Sequence, residues 1–496
     1  MIPEYIKKII DQLNQAGFEA WVVGGCVRDL LMNRQPADWD ITTKARPEDI
    51  LKVFPEAVYE NVFGTVLVKV KNEAGETENV VEVTTYRSEQ GYSDRRHPDE
   101  IRFEDELEKD LARRDFTINA LAVAPLGDRK FQPNGFNKMI ELDNEAWELV
   151  DYYGGEKDIK QRMLRAVGEP SERFKEDALR LLRAVRFMAQ LDFKFEPKTE
   201  RAISKLAGSL KFIANERIRD ELIKILKSDR PARGISKLEE LKLLQYIIPE
   251  LLEGVGMAQK GHHIYTVYDH SILALKNCPS PDWRIRLASL LHDVAKPATK
   301  KIINGQNTFY NHDFVGAKMT KKIMTRLKFA TVDIDKVVLL VANHMFYYNV
   351  GEVTAASVRR LIAKVGVDNL QDLIDLRIAD RLGSGTPKAV PYKLRHFQYM
   401  LDKVHHDPVS VKMLKLNGTD LMENLKLEPS PKIGAILDCL LSEVIENTDL
   451  NTEEYLLNRS RELANLDLTE LREKAKSIII DKREEEDKEL KRGHKV

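Results

Sequence analysis

Cysteine is scarce in this chain of 496 residues: Cys26, Cys278 and Cys439 stand far apart, with no Cys-x-x-Cys among them. That spacing excludes a disulfide framework and a thiolate zinc site. It fits a reducing, cytoplasmic compartment in which each thiol is a small apolar filler. No apolar run reaches the length of a membrane span, and no charged-then-apolar leader opens the chain, so neither a membrane protein nor an exported one is expected. An excess of charge of one sign is missing as well. With a formal net charge of −1, any contact with nucleic acid has to come from local basic patches and not from a global field. What the chain has is length and apolar content: 43% hydrophobic residues over 496 positions make a globular protein of about three domains.

The stretch Trp21 to Asp40, WVVGGCVRDLLMNRQPADWD, reads as a short apolar strand, a Gly24-Gly25 turn, a helix start carrying Arg28 and Asp29, and a second strand announced by Asp38 and Asp40. Paired glycines between a strand and a helix let backbone N–H groups approach a phosphate, and the helix N-terminus adds partial positive charge at the same place. Acids at i and i+2 of a strand point to one face. Together these residues describe a phosphate cradle opposite a metal-binding carboxylate pair.

Here the chain resembles the nucleotidyltransferase superfamily that includes DNA polymerase beta, and within it the tRNA nucleotidyltransferase and bacterial poly(A) polymerase branch. The resemblance implies that Gly24, Gly25 and Arg28 hold an incoming triphosphate and that Asp38 and Asp40 hold two magnesium ions. FGTVLVKV and NVVEVTTYR follow as strands, rich in β-branched residues. Glu82, in the second, is either a third carboxylate beside the acids or an outward-facing strand residue. From Tyr86 to Glu108 the polar, Gly- and Pro-containing sequence predicts a long exposed loop with a functional role. Then LARRDFTINALAVAP matches the family's RRDFTxNA string, which implies that Arg114 contacts the nucleotide and Asp115 the sugar hydroxyls.

In the segment EDALRLLRAVRF, Leu179, Leu181, Leu182, Val185 and Phe187 predict the buried side of one helix on which Asp177 and Arg180, at i and i+3, sit side by side. A carboxylate accepts from an exocyclic amine and a guanidinium donates to a ring nitrogen. Cytosine and adenine satisfy both; uracil and guanine set donor against donor and acceptor against acceptor, at roughly 1 to 3 kcal/mol for each buried group left unpaired. The family uses the matching positions as a protein template for CTP and ATP, and Arg183 and Arg186 fall where it carries further nucleotide and phosphate contacts. NERIRDELIKIL and the helices after it read as a body without chemistry of its own.

Histidines gather next, at His262, His263, His270, His292, His312 and His344. TVYDHSILAL, RLASLLHDVAKPATK, NHDFVGAK, LLVANHMFY and LRIADRLGSG resemble the HD superfamily of metal phosphohydrolases. The resemblance implies one divalent metal, of open identity, on His270, His292, Asp293 and Asp380, with His312 and His344 at the positions of a second metal or a phosphate. LKLNGTDLMENLKLEPSPKIGAIL resembles the tail of long tRNA nucleotidyltransferases, except that Ser430 and Pro431 replace the usual glycine-proline before the isoleucine, so a different second turn is expected. The final DKREEEDKELKRGHKV reads as a solvated end.

The expected fold is thus an α+β, polymerase beta-like nucleotidyltransferase head at 1–150. All-α parts follow: a neck and body at 151–250, an HD metal domain at 251–390 and an RNA-binding tail at 391–496. The expected activity is template-independent addition of CCA to tRNA 3′ ends from CTP and ATP, without a covalent enzyme intermediate. The alternatives are A-only, CC-only or poly(A) addition and, from another class, an HD phosphodiesterase or phosphatase with an RNA-binding head. HD-bearing relatives can dimerise, so a homodimer stays open.

Overall fold

The computed structural model describes residues 2–60, 64–72, 75–90, 100–127, 135–259, 264–303, 306–346, 355–385, 390–405, 411 and 414–473. The chain forms two compact units, residues 1–342 with 375–385, and 343–374 with 386–496.

The first unit opens with helix α1 (Glu4–Gln15), strand β1 (Ala20–Val23), helix α2 (Gly25–Leu31), strand β2 (Asp40–Thr43), helix α3 (Pro47–Val53), and strands β3 (Val58–Tyr59), β4 (Thr65–Lys71) and β5 (Thr77–Thr85). After these come β6 (Arg87–Gln90), β7 (Glu100–Phe103), α4 (Leu107–Ala112), β8 (Ala122–Pro125), β9 (Asn137–Leu142) and β10 (Glu145–Val150). Eight strands make one sheet in the order β3-β4-β5-β2-β1-β8-β10-β9. All of its pairs are antiparallel except β2 with β5, and that parallel pair sets Asp40 opposite Glu82. Trp21 and Val23, alternate residues of β1, face one side and pack there with Tyr86, Leu107, Leu111 and Val150. The β1 strand is thereby fixed, and with it the turn that leaves its end.

Two expectations change in this region. Asp38 lies outside β2, in the bend before it. The polar segment after Tyr86 is not a plain loop: β6 and β7 pair antiparallel, Arg87 opposite Phe103 and Gln90 opposite Glu100, and residues 91–99 lie outside the described ones.

Helices dominate from residue 155 on: α5 (Gly155–Lys160), α6 (Pro170–Glu176), α7 (Leu179–Leu191), α8 (Pro197–Leu206), α9 (Asn215–Lys227) and α10 (Pro231–Glu240). They continue as α11 (Val267–Lys276), α12 (Trp283–Leu291), α13 (Lys296–Thr299), α14 (His312–Arg326), α15 (Thr331–Asn343), α16 (Ala355–Val365) and α17 (Leu370–Gly383). Two short strand pairs interrupt the all-α expectation, β11 (Met163–Leu164) with β12 (Lys194–Phe195), and β13 (Lys301–Ile303) with β14 (Gln306–Thr308).

The predicted neck helix is two helices. Asp177 has extended backbone (φ −135°, ψ 108°) and breaks α6 from α7. Its carboxylate accepts the backbone N–H of Leu179 at 2.9 Å, the bond of a capping aspartate, which an aspartate makes more readily than it sits inside a helix.

The second unit continues with α18 (Tyr392–His405), α19 (Gly418–Leu425), α20 (Pro431–Glu446) and α21 (Glu453–Leu463) around a core that includes Leu421, Ile436, Leu440 and Leu456. Asn417 and Asp420 form a reciprocal capping box at the start of α19. Ser430, extended at φ −153°, precedes Pro431 at the first position of α20, so this start needs no glycine. The final 474–496 lie outside the described residues. Among the described residues no helix is long and apolar enough to cross a membrane.

Candidate functional site

At the end of β1 the chain turns at Gly24 with φ 85°, a conformation that suits glycine. A Cβ there would stand 2.9 Å from Nη1 of Arg114 and 3.5 Å from Oδ2 of Asp40, so backbone, guanidinium and carboxylate converge on this point. Arg28, one turn into α2, is buried; its Nη1 donates to Asn119 Oδ1 at 2.8 Å and its Nε to Asp29 Oδ1 at 2.9 Å.

Arg113, Arg114 and Asp115 are anchored from below. Asp110 of α4, with its side chain fully buried, accepts from Arg113 Nη2 at 2.8 Å and from Arg114 Nη2 at 3.2 Å. Burial alone would raise the Asp115 carboxyl, but Arg183, Asn119 and Arg180 outweigh it and bring it down to about 2. Asp115 accepts from Arg183 Nε at 2.7 Å and from Asn119 Nδ2 at 3.1 Å. Nε of Arg114 is buried with no protein partner, a donor left over in the cleft wall.

The three acids differ in setting. Asp38 and Glu82 are exposed, and Asp40 is partly buried. Burial raises Asp40, Asp38 adds to the rise, and Arg114 opposes it. Glu82 is raised by burial and by Asp40, Glu60 and Asp38. Asp40 and Glu82, each raised by neighbouring acids, offer hard oxygen donors whose negative charge is only partly offset, by Arg114, and such donors fit magnesium.

A cleft of about 580 Å³ joins Asp40, the one of these acids in its lining, to the neck. Gly24, Gly25, Arg28, Asp40, Arg114 and Asp115 line it from the head, and Asp177, Arg180 and Arg183 from the helices. The backbone N–H of Arg180 donates to the Asp177 carbonyl at 3.0 Å, but their side chains do not bond each other: each has its own holder. Arg217 of α9 donates to Asp177 Oδ2 at 2.9 Å. Arg180 donates from Nη1 to Glu176 and to the Arg173 carbonyl, and from Nη2 to the Arg113 carbonyl at 3.1 Å. The five N–H groups of a guanidinium leave Arg180 with donors to spare, and the remaining lone pairs of Asp177 can still accept.

Arg186 departs from the expectation of a direct nucleotide contact. It is absent from the cleft lining, is buried, and donates to Glu221 of α9 at 3.0 Å while lying 4.3 Å from the centre of the Phe187 ring. A guanidinium with a buried acid of its own serves the packing of α7 on α9. Sequence reasoning missed Arg87, Asn119 and Arg217, all in the cleft wall. Asn119 had a signal, four residues after Asp115 in the same matched string. Arg217 had none, because its partner is 40 residues away.

A second cluster forms in the same unit. Thr266 caps α11 through the N–H of Asp269 and Asp282 caps α12 through that of Arg284, which fixes the helices that present His270 and lead into His292 and Asp293. Nε2 of His270 and Nε2 of His292 are 3.0 Å apart, both are 3.2 Å from Asp293 Oδ2, and Asp380 Oδ1 of α17 lies 3.2 and 3.6 Å from them. His292 Nδ1 lies 2.8 Å from the Ser289 carbonyl and His312 Nδ1 2.7 Å from that of Phe309, which assigns the proton to Nδ1 and turns each Nε2 lone pair inward. Lone pairs and carboxylates aimed at one point fit a divalent cation with nitrogen and oxygen ligands. His312 Nε2 lies 3.3 Å from Asp293 Oδ1. His344 is buried and belongs to the second unit; His262 and His263 lie outside the described residues.

Comparison with known proteins gives three family matches: "Poly A polymerase head domain" over residues 20–165, "Probable RNA and SrmB-binding site of polymerase A" over 192–254, and "HD domain" over 262–384. The A-adding tRNA nucleotidyltransferase of Deinococcus radiodurans is 38% identical over 351 residues, 67% of this chain and 74% of that protein. The CCA-adding enzyme of Ligilactobacillus salivarius is 32% identical over 472 residues, 93% of this chain and 98% of the relative. Among solved structures, the Bacillus stearothermophilus CCA-adding enzyme in complex with CTP matches with a TM-score of 0.56 and 25% identity over 93% of this chain and 99% of that one. Head motif, cleft geometry and near-full-length similarity agree: this chain belongs to the tRNA nucleotidyltransferase and poly(A) polymerase family.

Proposed function

We propose that the protein adds C, C and A to the 3′ ends of tRNA, taking CTP and ATP as donors and no nucleic-acid template, in the cytoplasm. The observation that carries this reading is a single cleft whose wall includes both Asp40 and the Asp177/Arg180 pair, so that the groups for phosphoryl chemistry and for base identity face one nucleotide. Asp38 and Asp40, with Glu82 as helper, would hold two magnesium ions, and these would supply Lewis-acid activation of the tRNA 3′-hydroxyl and charge neutralisation at the pyrophosphate. The chain does the rest by positioning. The Gly24-Gly25 turn, Arg28 and Arg114 hold the triphosphate, Asp115 reads the sugar hydroxyls, and Phe187 walls the cleft below them.

Asp177 accepts from the exocyclic amine of cytosine or adenine and Arg180 donates to the adjacent ring nitrogen. Arg217, donating to its carboxylate, keeps the acid aimed. Arg183, held on Asp115, ties the sugar-reading acid to the base-reading helix. Uracil and guanine are refused for lack of a complementary edge.

A second reading, addition of the terminal A alone, is favoured by the similarity to the Deinococcus A-adding enzyme. One assay separates the two. Transcripts of tRNA lacking CCA, or ending in CC, are offered CTP, ATP or both. Under the first reading the transcript lacking CCA gains all three nucleotides. Extension of only the CC-ending transcript selects the second, and no extension of either overturns both. The His–Asp cluster supports a further reading, metal-dependent phosphohydrolysis, which the same tRNA with a cyclic-phosphate end and no nucleotide tests by release of that phosphate.

A further inference from the structure

Helix α14 has two distinct sides. Gly316, Ala317, Thr320, Ile323 and Met324 are buried, while Phe314, Lys318, Lys321, Lys322 and Thr325 recur at helical spacing on the exposed side. Solvated faces ordinarily mix signs of charge; this one does not. Between Val294 and Ala330 the sequence has eight lysines and arginines against one aspartate, in a chain whose net charge is −1. Arg326 is neutralised by Glu250 at 2.6 Å. Lys300, Lys301, Lys318, Lys321 and Lys322 form no ion pair among the described residues. Self-repulsion among them is unrelieved inside the protein, so a polyanion is the complementary partner.

Two aromatic rings stand at the start of this face, Tyr310 70% and Phe314 60% exposed. Nζ of Lys318 is 4.2 Å from the centre of the Phe314 ring, which puts an ammonium beside a stacking surface. Flat rings next to a row of cations hold single-stranded nucleic acid without reading its sequence: bases stack on the rings and phosphates meet the ammonium groups. From Phe314 to Lys322 the row runs roughly 12 Å along the helix. The first residue of α14, His312, belongs to the His–Asp cluster, so the row leads away from that cluster.

We propose that the exposed face of α14, together with Tyr310, is an RNA-contact surface that holds a single-stranded segment by its phosphates and by base stacking, outside the transfer cleft. The test is fluorescence anisotropy of the full chain with a labelled 12-nucleotide single-stranded RNA, without nucleoside triphosphate, over a salt series. Replacing Lys318, Lys321 and Lys322 together by alanine is expected to weaken binding at least tenfold at low salt. It should also flatten the log–log salt slope by about 2, since each phosphate contact on a single strand contributes about 0.7. Tyr310→Ala with Phe314→Ala should weaken binding about fivefold or more with the slope unchanged, and replacing the three lysines by arginine should restore it. Wild-type affinity and slope in the triple alanine protein would overturn the proposal. So would a triple variant that keeps RNA and loses phosphatidylserine vesicles, which would make the face a membrane-surface site. Incorporation of nucleotide at saturating tRNA should stay within twofold in every variant; its loss would place the face in the transfer site and overturn its separation from the cleft.

Discussion

The transfer cleft and the His–Asp cluster both gather carboxylates for a cation, yet they treat those carboxylates in opposite ways. At the cleft, burial and like charge raise Asp40, which lines it, and Glu82, which stands beside Asp40 outside the lining, and two of the three acids are exposed. In the cluster, burial works against ionisation, but the imidazoles with Lys296 beside Asp293 and Arg377 beside Asp380 hold both acids well below the usual carboxylate range. Negative charge is only partly compensated in the open site, by Arg114, and is balanced within the protein in the closed one. The first arrangement suits an ion shared with a polyphosphate that comes and goes; the second suits an ion held by the protein alone.

The sharpest way to break that contrast is to cross the two sites. Asp40→Ala is expected to lower nucleotide incorporation by 10³-fold or more, about 4 kcal/mol of transition-state stabilisation, and to leave metal bound at the cluster untouched. His292→Ala should do the reverse: incorporation within twofold of wild type, and loss of the ion that elemental analysis finds on the purified protein. Single-turnover incorporation and metal content, measured on both proteins, decide it. A histidine variant as inactive as the aspartate one would merge two sites into one.

Base identity is the next largest effect. Asp177→Ala should reduce discrimination against UTP and GTP by about 10- to 100-fold, the equivalent of roughly 1 to 3 kcal/mol, before CTP and ATP binding is lost. Arg217→Ala acts through the same carboxylate, so it should shift selectivity in the same direction by about fivefold while a lysine at that position retains part of it. The ratio of kcat/KM values for the four nucleotides measures both. Unchanged ratios in Asp177→Ala would mean that the base is read elsewhere.

The ion pair of Asp115 with Arg183 joins the head to the neck helix, and its contribution to stability has a defined pH dependence. The folded carboxyl titrates at about 2 against an ordinary 3.8, so its share is fully present above about pH 4 to 5 and is lost as pH falls through 2. Asp115→Asn should cost about 2 kcal/mol near neutral pH, and the difference from wild type should shrink as the solution is acidified. Urea unfolding followed by tryptophan fluorescence at several pH values tests the sign. A deficit that grows in acid would contradict it.

Local signals in the sequence carried the cradle and the cluster, because the chemistry there lies in short strings. Gly24, Gly25 and Arg28 belong to one turn, Asp115 and Asn119 to one string, and His292 and Asp293 to adjacent positions. Long-range partners were not legible. Nothing in NERIRDELIKIL shows that Arg217 holds Asp177, or that Glu221 four residues on draws Arg186 out of the cleft. The break at Asp177 was visible only in its residue type: aspartate caps helices more readily than it lies inside them, whereas the leucine-rich pattern that follows reads as one helix running through it. The strand pair after Tyr86 escaped notice because β6 has no apolar residue at all and the alternation of Ile101 and Phe103 in β7 spans only four residues of a charged segment.

Glu82 gives the smallest effect and the finest test of the contrast between the two sites. The parallel pairing of β2 with β5 sets it opposite Asp40, but it is exposed and does not line the cleft among the described residues. If it shares the cation, Glu82→Gln takes an oxygen donor of full charge from the site. The expected result is a several-fold rise in the magnesium concentration needed for half-maximal incorporation. The accompanying fall in rate at saturating magnesium should be no more than about tenfold, roughly 1.4 kcal/mol. The same substitution leaves the cluster's metal content unchanged, since the acids of that site are neutralised by Lys296 and Arg377. A magnesium dependence identical to wild type would assign Glu82 to the outer surface of the sheet and leave the open site with two acids.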